Sequence, residues 1–420
     1  MAHIMETKTH MLSISLENPF KLSFGELLTL PRVVYEIRLS NGIRGFGEAS
    51  IDFPFSNYDM FDVYKALEST DIVGRKVVER IGLLEEQSSP SGLMAFPAAF
   101  AAFNMAMDDA YGRHSHKSII ELYGAHRVGG RAMRSISISD DVNCIVKQMI
   151  TAVREGYLPK IKVGSGVESD KRTISAAEAS GISYALDFNA AYSLDAASGL
   201  FDGLLSSGSL SKALYIEQPT AEDEGIGALE SISKLLRTGN RIGKVVADES
   251  FVTMEDAVMC AEHSIALNFK LQKVGGIYTA RAIEQRLFAL GFKAESMIGG
   301  TFPTAIGRVY DQDAACALKS TTLHSDGLLP STDYFRAEKH LIKENFVRRG
   351  GMSIPISGEG SGVTVDIEKL SSFVVSDPVG EYSKIRDDKS GNKISIMLRS
   401  GQSYRNIYER KARRPARWNL

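Results

Sequence analysis

LPKIKVG, residues 158–164, alternates apolar side chains with two lysines, Lys160 and Lys162, in a run that otherwise has the texture of a buried strand. In an extended chain, residues two apart share a face, so both ammonium groups point the same way. Outward from this run, short β-branched segments recur with helical sequence between them: SISIS (135–139), YALDFNA (184–190), ALYIEQP (213–219), KVVADES (244–250), ALNFKLQ (266–272), FKAESMIGG (292–300) and TTLHSDG (321–327). Eight strands separated by helices is the count that closes a parallel barrel. The expected fold class is therefore α/β, a (β/α) barrel of modified TIM type. Most of the runs end in a polar or charged residue, and in such barrels the carboxyl ends of the strands converge on one mouth.

On either side of the barrel the texture changes. Residues 32–50, RVVYEIRLSNGIRGFGEAS, place Asn41 and Gly42 between two strand-like runs, which signals an antiparallel hairpin. Residues 92–124 are rich in Ala, Met and Phe, with small residues spaced for close helix packing. Together they predict an α+β capping domain over 6–133. The barrel follows over 134–345, and the alternating GMSIPISG (351–358) predicts a return to the capping domain over 346–375. The opening MAHIM (1–5) reads as a cloning scar and is set aside from the fold. Residues 376–420 carry an excess of Lys and Arg and are read as a basic extension, solvated or in contact with another copy.

With 44% hydrophobic and 24% charged residues in 420, the composition is that of an ordinary globular chain. A formal net charge of -2 offers no overall field to draw it to nucleic acid or an anionic membrane, so a small molecule is the expected partner. There is no apolar run long enough to span a bilayer, and the N-terminus lacks the order of a signal peptide. Cys144, Cys260 and Cys316 are widely spaced and suggest neither a zinc knuckle nor a disulfide framework. A reducing cytoplasm is the expected location and a homo-oligomer the expected assembly.

Taken in order, the strand ends offer Lys162, Asp187, Glu217, Asp248 and Lys270, one per strand–helix unit, so that all five can reach the same mouth. Singly, each has a plainer reading: KIK as a strand face, EQP as a turn, ADES as a helix cap through Ser250. Jointly, three carboxylates on adjacent strands would repel unless a cation held them. Oxygen-only ligands select a hard ion, and one Mg2+ per site is expected. The two lysines flank it on opposite sides of the barrel. Lys160, on the same face as Lys162, disfavours a second ammonium beside it and offers positive charge to a developing oxyanion.

The sequence resembles the enolase superfamily, specifically its muconate-lactonizing (mandelate racemase/muconate lactonizing enzyme) subgroup, and within it most resembles the dipeptide epimerases. The matching pieces are PFKLSFG (19–25), NGIRGFGEA (41–49), KIKVG (160–164), LDFNAAY (186–192), YIEQP (215–219), VADES (246–250), NFKLQKVGGI (268–277) and MIGGT (297–301). The resemblance implies that Asp187, Glu217 and Asp248 ligate magnesium and that Lys162 and Lys270 are the acid/base catalysts, with Lys160 stabilising an enediolate. Lys273 is read as structural or solvated. The implied reaction is abstraction of a proton α to a carboxylate and its return from the opposite face, that is, epimerisation or racemisation of a dipeptide or N-acyl amino acid. If one lysine serves only electrostatically, the same site would act as an o-succinylbenzoate synthase or a muconate-type cycloisomerase. The reading from another class is an inactive barrel kept for binding or assembly.

The sequence departs from this pattern at the expected substrate contacts. Dipeptide epimerases carry Asp-x-Asp on the eighth strand to hold a free ammonium; here His324-Ser325-Asp326 leaves one carboxylate. Pro303 stands where relatives commonly have Glu. Ser135, Lys160, Thr301, Phe302, His324 and Asp326 are the expected substrate-binding residues, with the segments around KLSFGELLTL (21–30) and DFPFSN (52–57) as the loops that close over the mouth.

Overall fold

A computed structural model describes residues 2–22, 25–50, 58, 60–124, 127–238, 244–330, 334–335, 340–375 and 396–398, with the side chains of 18–29, 238 and 396–398 left undescribed. The expected loop 52–57, the side chains of the 21–30 loop up to 29, and the basic extension other than the backbone of 396–398 lie outside the described residues.

The chain begins with three antiparallel strands, β1 (Ile4–Leu22), β2 (Gly25–Leu39) and β3 (Arg44–Ala49). The β2–β3 hairpin turns at Asn41 and Gly42, where Gly42 has φ 86° and so suits glycine. Residues 2–5, within the MAHIM segment, lie against this sheet. Ile4 is fully buried and pairs with Leu39, His3 bridges to Lys76, and Ala2 is buried, because the apolar positions of this segment complete the sheet edge.

Helices α1 (Met60–Glu68), α2 (Arg80–Gln87), α3 (Pro97–Ser115) and α4 (Ile119–Tyr123) follow. The helix α3 starts with proline at its first turn, where no amide partner is needed, and its alanines let β3 come very close. A Cβ added at Gly47 would stand 2.0 Å from the Ala102 carbonyl oxygen, and one at Gly45 2.4 Å from that of Ala106. Gly47→Ala is therefore expected to cost about 1–3 kcal/mol or more, read as a lower urea midpoint.

Among the described residues the barrel has seven parallel strands: β5 (Met133–Ile136), β6 (Leu158–Lys162), β7 (Tyr184–Asp187), β8 (Ala213–Glu217), β9 (Lys244–Ala247), β10 (Ala266–Phe269) and β11 (Ser296–Ile298), hydrogen-bonded in chain order. Helices α5 (Val142–Arg154), α6 (Val167–Ala179), α7 (Leu194–Ser206), α8 (Gly225–Thr238) and α9 (Met254–Glu262) separate the first six, and α10 (Leu271–Val274), α11 (Gly276–Ala289) and α12 (Ala305–Ala317) follow β10 and β11. Side chains of Asp141, Ser193 and Thr253 cap the first turns of α5, α7 and α9.

The eighth stave differs from expectation. Among the described residues, 321–325 form no strand and meet the neighbouring staves at isolated bridges, Ser296 to Thr321 and Ala132 to Ser325. The run is rich in Ser and Thr, and the Ser325 hydroxyl accepts the Ile298 amide at 3.0 Å, taking the place of a backbone carbonyl in the ladder.

Past the barrel, β12 (Val347–Arg349) pairs with β13 (Met352–Ile354), which pairs in turn with β4 (Gly130–Arg131). The chain then returns to the first sheet: Ser361 donates to the buried Asp109 of α3, and beyond α13 (Ile367–Ser372) Val374 bridges to Leu12. A last strand, β14 (Ile396–Leu398), pairs with β2. Among the described residues no helix is long and apolar enough to cross a membrane.

Candidate active site

Parallel register puts Lys162 beside Asp187 and Asp187 beside Glu217, so the ends of β6, β7 and β8 form one row. Asp248 and Lys270 each follow the last residue of β9 and β10. Lys160 lies inside this row and is 1% exposed. Its Nζ stands 3.0 Å from Asp187 Oδ2, 2.9 Å from Glu217 Oε2 and 2.6 Å from Asp326 Oδ2. Burial works against its charge, but the three carboxylates outweigh that and raise the Lys160 pKa well above the usual lysine range.

Lys162 donates to Asp187 Oδ2 at 2.6 Å and to Asn189 Oδ1 at 2.9 Å. Lys270 stands 2.7 Å from Asp248 Oδ2, while Lys273 takes Asp248 Oδ1 at 2.9 Å. The side chains of Lys162 and Lys270 are each 21% exposed, against 2% or less for Asp187, Glu217 and Asp248. Burial favours the neutral form of Asp187 and Asp248, yet the paired lysines prevail and hold both carboxyls well below the carboxylate range. Glu217 goes the other way: burial, then the Asp187 charge, push it up to about 8 against Lys160. Burial and the Asp248 charge push Glu249 up to about 7, and its Oε2 is buried with no partner among the described residues.

Could these residues hold the expected magnesium? Among the described residues no three Asp, Glu, His or Cys side chains are gathered as a ready coordination shell, and Lys160 stands between Asp187 and Glu217. The donor chemistry fits nonetheless. Asp187, Glu217 and Asp248 offer only oxygen, on successive strand ends, and the unbalanced repulsion on Glu217 is what a hard divalent cation would remove.

A pH dependence follows. Glu217 and Glu249 have folded-state values above 4.5, so the folded chain holds protons that the unfolded chain releases. That contribution is complete below 4.5 and is lost as pH rises to about 8. Asp187 and Asp248 act oppositely, but only below their ordinary 3.8. In EDTA the urea midpoint is expected to fall between about pH 5 and about pH 8, with Mg2+ restoring more at the upper end.

The expected substrate-binding residues divide into two groups. Ser135 donates to Asp326 Oδ2 at 3.5 Å, next to Lys160, and Asp326 Oδ1 is buried without a partner among the described residues. Thr301 and Phe302 are tied to the capping domain instead. The Thr301 hydroxyl pairs with Ser50 Oγ at 2.9 Å, and fully buried Arg32 donates to the carbonyls of Thr301 and Phe302. The Phe302 ring meets Tyr334 edge-on with centroids 5.2 Å apart, and its φ of 47° is left-handed. His324 gives its carbonyl to the Tyr215 hydroxyl, and burial followed by the Arg131 charge lowers its imidazole pKa. At the start of α12, just past Pro303, the buried carboxylate comes from the capping domain: Glu48 accepts from the amides of Thr304 and Gly307 and from the Thr304 hydroxyl.

Comparison with known proteins matches residues 4–124 to the mandelate racemase/muconate lactonizing enzyme N-terminal domain and residues 145–370 to the enolase C-terminal domain-like family. The chain belongs to the enolase superfamily. Among its relatives, an o-succinylbenzoate synthase of Enterococcus faecalis is 24% identical over 390 residues, covering 91% of this chain and 100% of that protein. An N-succinyl-L-Arg/Lys racemase of Bacillus cereus is 24% identical over 322 residues, covering 72% of this chain and 82% of the racemase. A solved dipeptide epimerase from Enterococcus faecalis, complexed with Mg and L-Leu-L-Tyr, superposes with a TM-score of 0.74 at 22% identity over 86% of this chain and 99% of its own. This enolase-superfamily enzyme thus shares its architecture with the epimerases and muconate lactonizing enzymes.

Four residues of the site escape a reading based on strand ends alone. Asn268 donates to Glu217 Oε1 at 2.7 Å; it lies two residues before Lys270, so the alternation that pairs Lys160 with Lys162 also points to it. Asn189, two past Asp187, links Lys162 to Glu249. Gln218 has φ 36°, and its amide oxygen accepts from the backbones of Asp248 and Ser250, fixing the turn that carries Asp248. Lys273, read as structural or solvated, holds the Asp248 side chain and carbonyl.

Proposed function

We propose that the protein is a Mg2+-dependent isomerase that removes the proton α to the carboxylate of an N-acyl amino acid or dipeptide and returns one to the opposite face, with Lys162 and Lys270 as the two proton-transfer groups. One observation carries this reading: two partly exposed amines on strands separated by three others, each set against a buried carboxylate, border one cluster of acids. Bound by Asp187, Glu217 and Asp248, the metal would supply Lewis-acid stabilisation of charge developing on the substrate carboxylate. The neutral amine of one lysine takes the α-proton while the ammonium of the other delivers a proton. Asp187 with Asn189 orients Lys162, and Asp248 orients Lys270. Lys160, a permanent buried cation, adds fixed positive potential without reorganising.

An N-acyl amino acid suits the site better than a free dipeptide. Asp326 commits one oxygen to Lys160, so a substrate ammonium would find a single carboxylate oxygen rather than a pair of acids. Similarity to the N-succinyl-L-Arg/Lys racemase supports this preference. A cytoplasmic setting and a homo-oligomer belong to the same proposal, the former supported by free, buried Cys260 and Cys316. The experiment is α-proton exchange in D2O, followed by NMR with Mg2+, on N-succinyl amino acids and dipeptides. Exchange with inversion supports the reading, whereas silence across the panel contradicts it. Dehydration of a separately supplied cyclohexadienyl hydroxy-acid precursor to o-succinylbenzoate, without exchange on the panel, would favour the second reading, which rests on similarity that spans the whole of that synthase.

A further inference from the structure

The two lysines are anchored by different parts of the molecule. Lys162 is held within the barrel, by Asp187 and Asn189. Lys270 caps the single turn α10, and that turn is gripped on two sides. Gln272, 4% exposed, accepts the Ser50 amide at 2.9 Å and donates to the Glu48 carbonyl at 3.0 Å, so it is sewn to the end of β3 in the capping domain. Glu48 and Ser50 are in turn fixed to Thr304 and Thr301. On the other side Lys273 donates to the Asp248 carbonyl at 2.8 Å and to Oδ1 at 2.9 Å, with its ammonium 5.0 Å from the Phe251 ring centroid. Behind the turn, Gly276 with φ 94° leaves no room for a Cβ, which would stand 2.4 Å from Asn104 Oδ1 of α3.

We infer that α10 is a clamp through which the capping domain and Asp248 jointly place Lys270, with Gln272 and Lys273 as positioning residues. This rests on the reading of Lys270 as a proton-transfer group. A four-residue helix has too few internal hydrogen bonds to hold its own orientation, so its outside contacts decide where its cap residue points. Lys273 also holds Asp248 Oδ1 while Lys270 stands at Oδ2, so the carboxylate is held against rotation.

The test compares lysine reactivity inside one molecule. The full chain in EDTA is acetylated briefly with an amine-specific acetylating reagent, and the Lys270-to-Lys162 labelling ratio is read by mass spectrometry for wild type, Gln272→Met, Lys273→Met and Lys273→Arg, with thermal melting as the check on folding. Gln272→Met should raise the ratio by roughly threefold or more, the effect of losing modest hydrogen bonds. Lys273→Met should shift the ratio, and Lys273→Arg should return it toward wild type. If Gln272→Met fails to fold, the Lys273 pair decides. An unchanged ratio, or both lysines changing together, overturns the clamp. No substrate enters this measurement, so it can fail while α-proton exchange succeeds, and the reverse.

Discussion

The Lys270→Ala protein is expected to exchange the α-proton of one antipode of the substrate without inverting it, and to leave the other antipode inert. Lys162→Ala should show the mirror-image selectivity. Each lysine faces one side of the bound carbon in the proposed arrangement, so the surviving amine can still remove and return a proton on its own face. Loss of a positioned acid/base group costs about 10²–10⁴-fold, so inversion should fall by that factor in both variants. The measurement is NMR in D2O on each antipode separately, with Mg2+ present. Equal loss for both antipodes in either variant would mean that the two amines do not divide the faces between them.

A second large effect is expected on stability. Lys160→Met leaves Asp187, Glu217 and Asp326 around a buried thioether, with their shared cation gone. Breaking a buried ion pair from one side costs about 3–5 kcal/mol, because the uncompensated charges stay behind. Equilibrium urea unfolding in EDTA should show a loss of that order. Mg2+ should recover more stability in Lys160→Met than in wild type, since the ion can then neutralise acids that Lys160 otherwise serves. A variant as stable as wild type in EDTA would contradict the central electrostatic role given to Lys160.

What could be read in the sequence was whatever depends on local periodicity. Alternation put Lys160 and Lys162 on one face, and the strand–helix spacing put Asp187 and Glu217 on neighbouring strands, where the register pairs them. The hairpin at Asn41 and Gly42 was legible because only certain residues accept its left-handed turn. Contacts without local pattern were hidden. Arg32 reaches the carbonyls of Thr301 and Phe302 from far earlier in the chain, and no spacing in the sequence connects them. Likewise, Lys273 looks like a surface lysine until β9 brings Asp248 under it. The irregular eighth stave shows a hydroxyl taking a backbone partner, a competition that composition hints at but does not place.

In the proposed site Asp187, Glu217 and Asp248 surround one divalent cation, and Lys162 and Lys270 approach its ligand from opposite sides. A crystal structure grown with Mg2+ and an N-succinyl amino acid decides this arrangement. The expected density shows one ion bound by those three carboxylates, with the two amines on either side of the α-carbon. An ion bound elsewhere, no ion among the three acids, or both amines on the same side would contradict it.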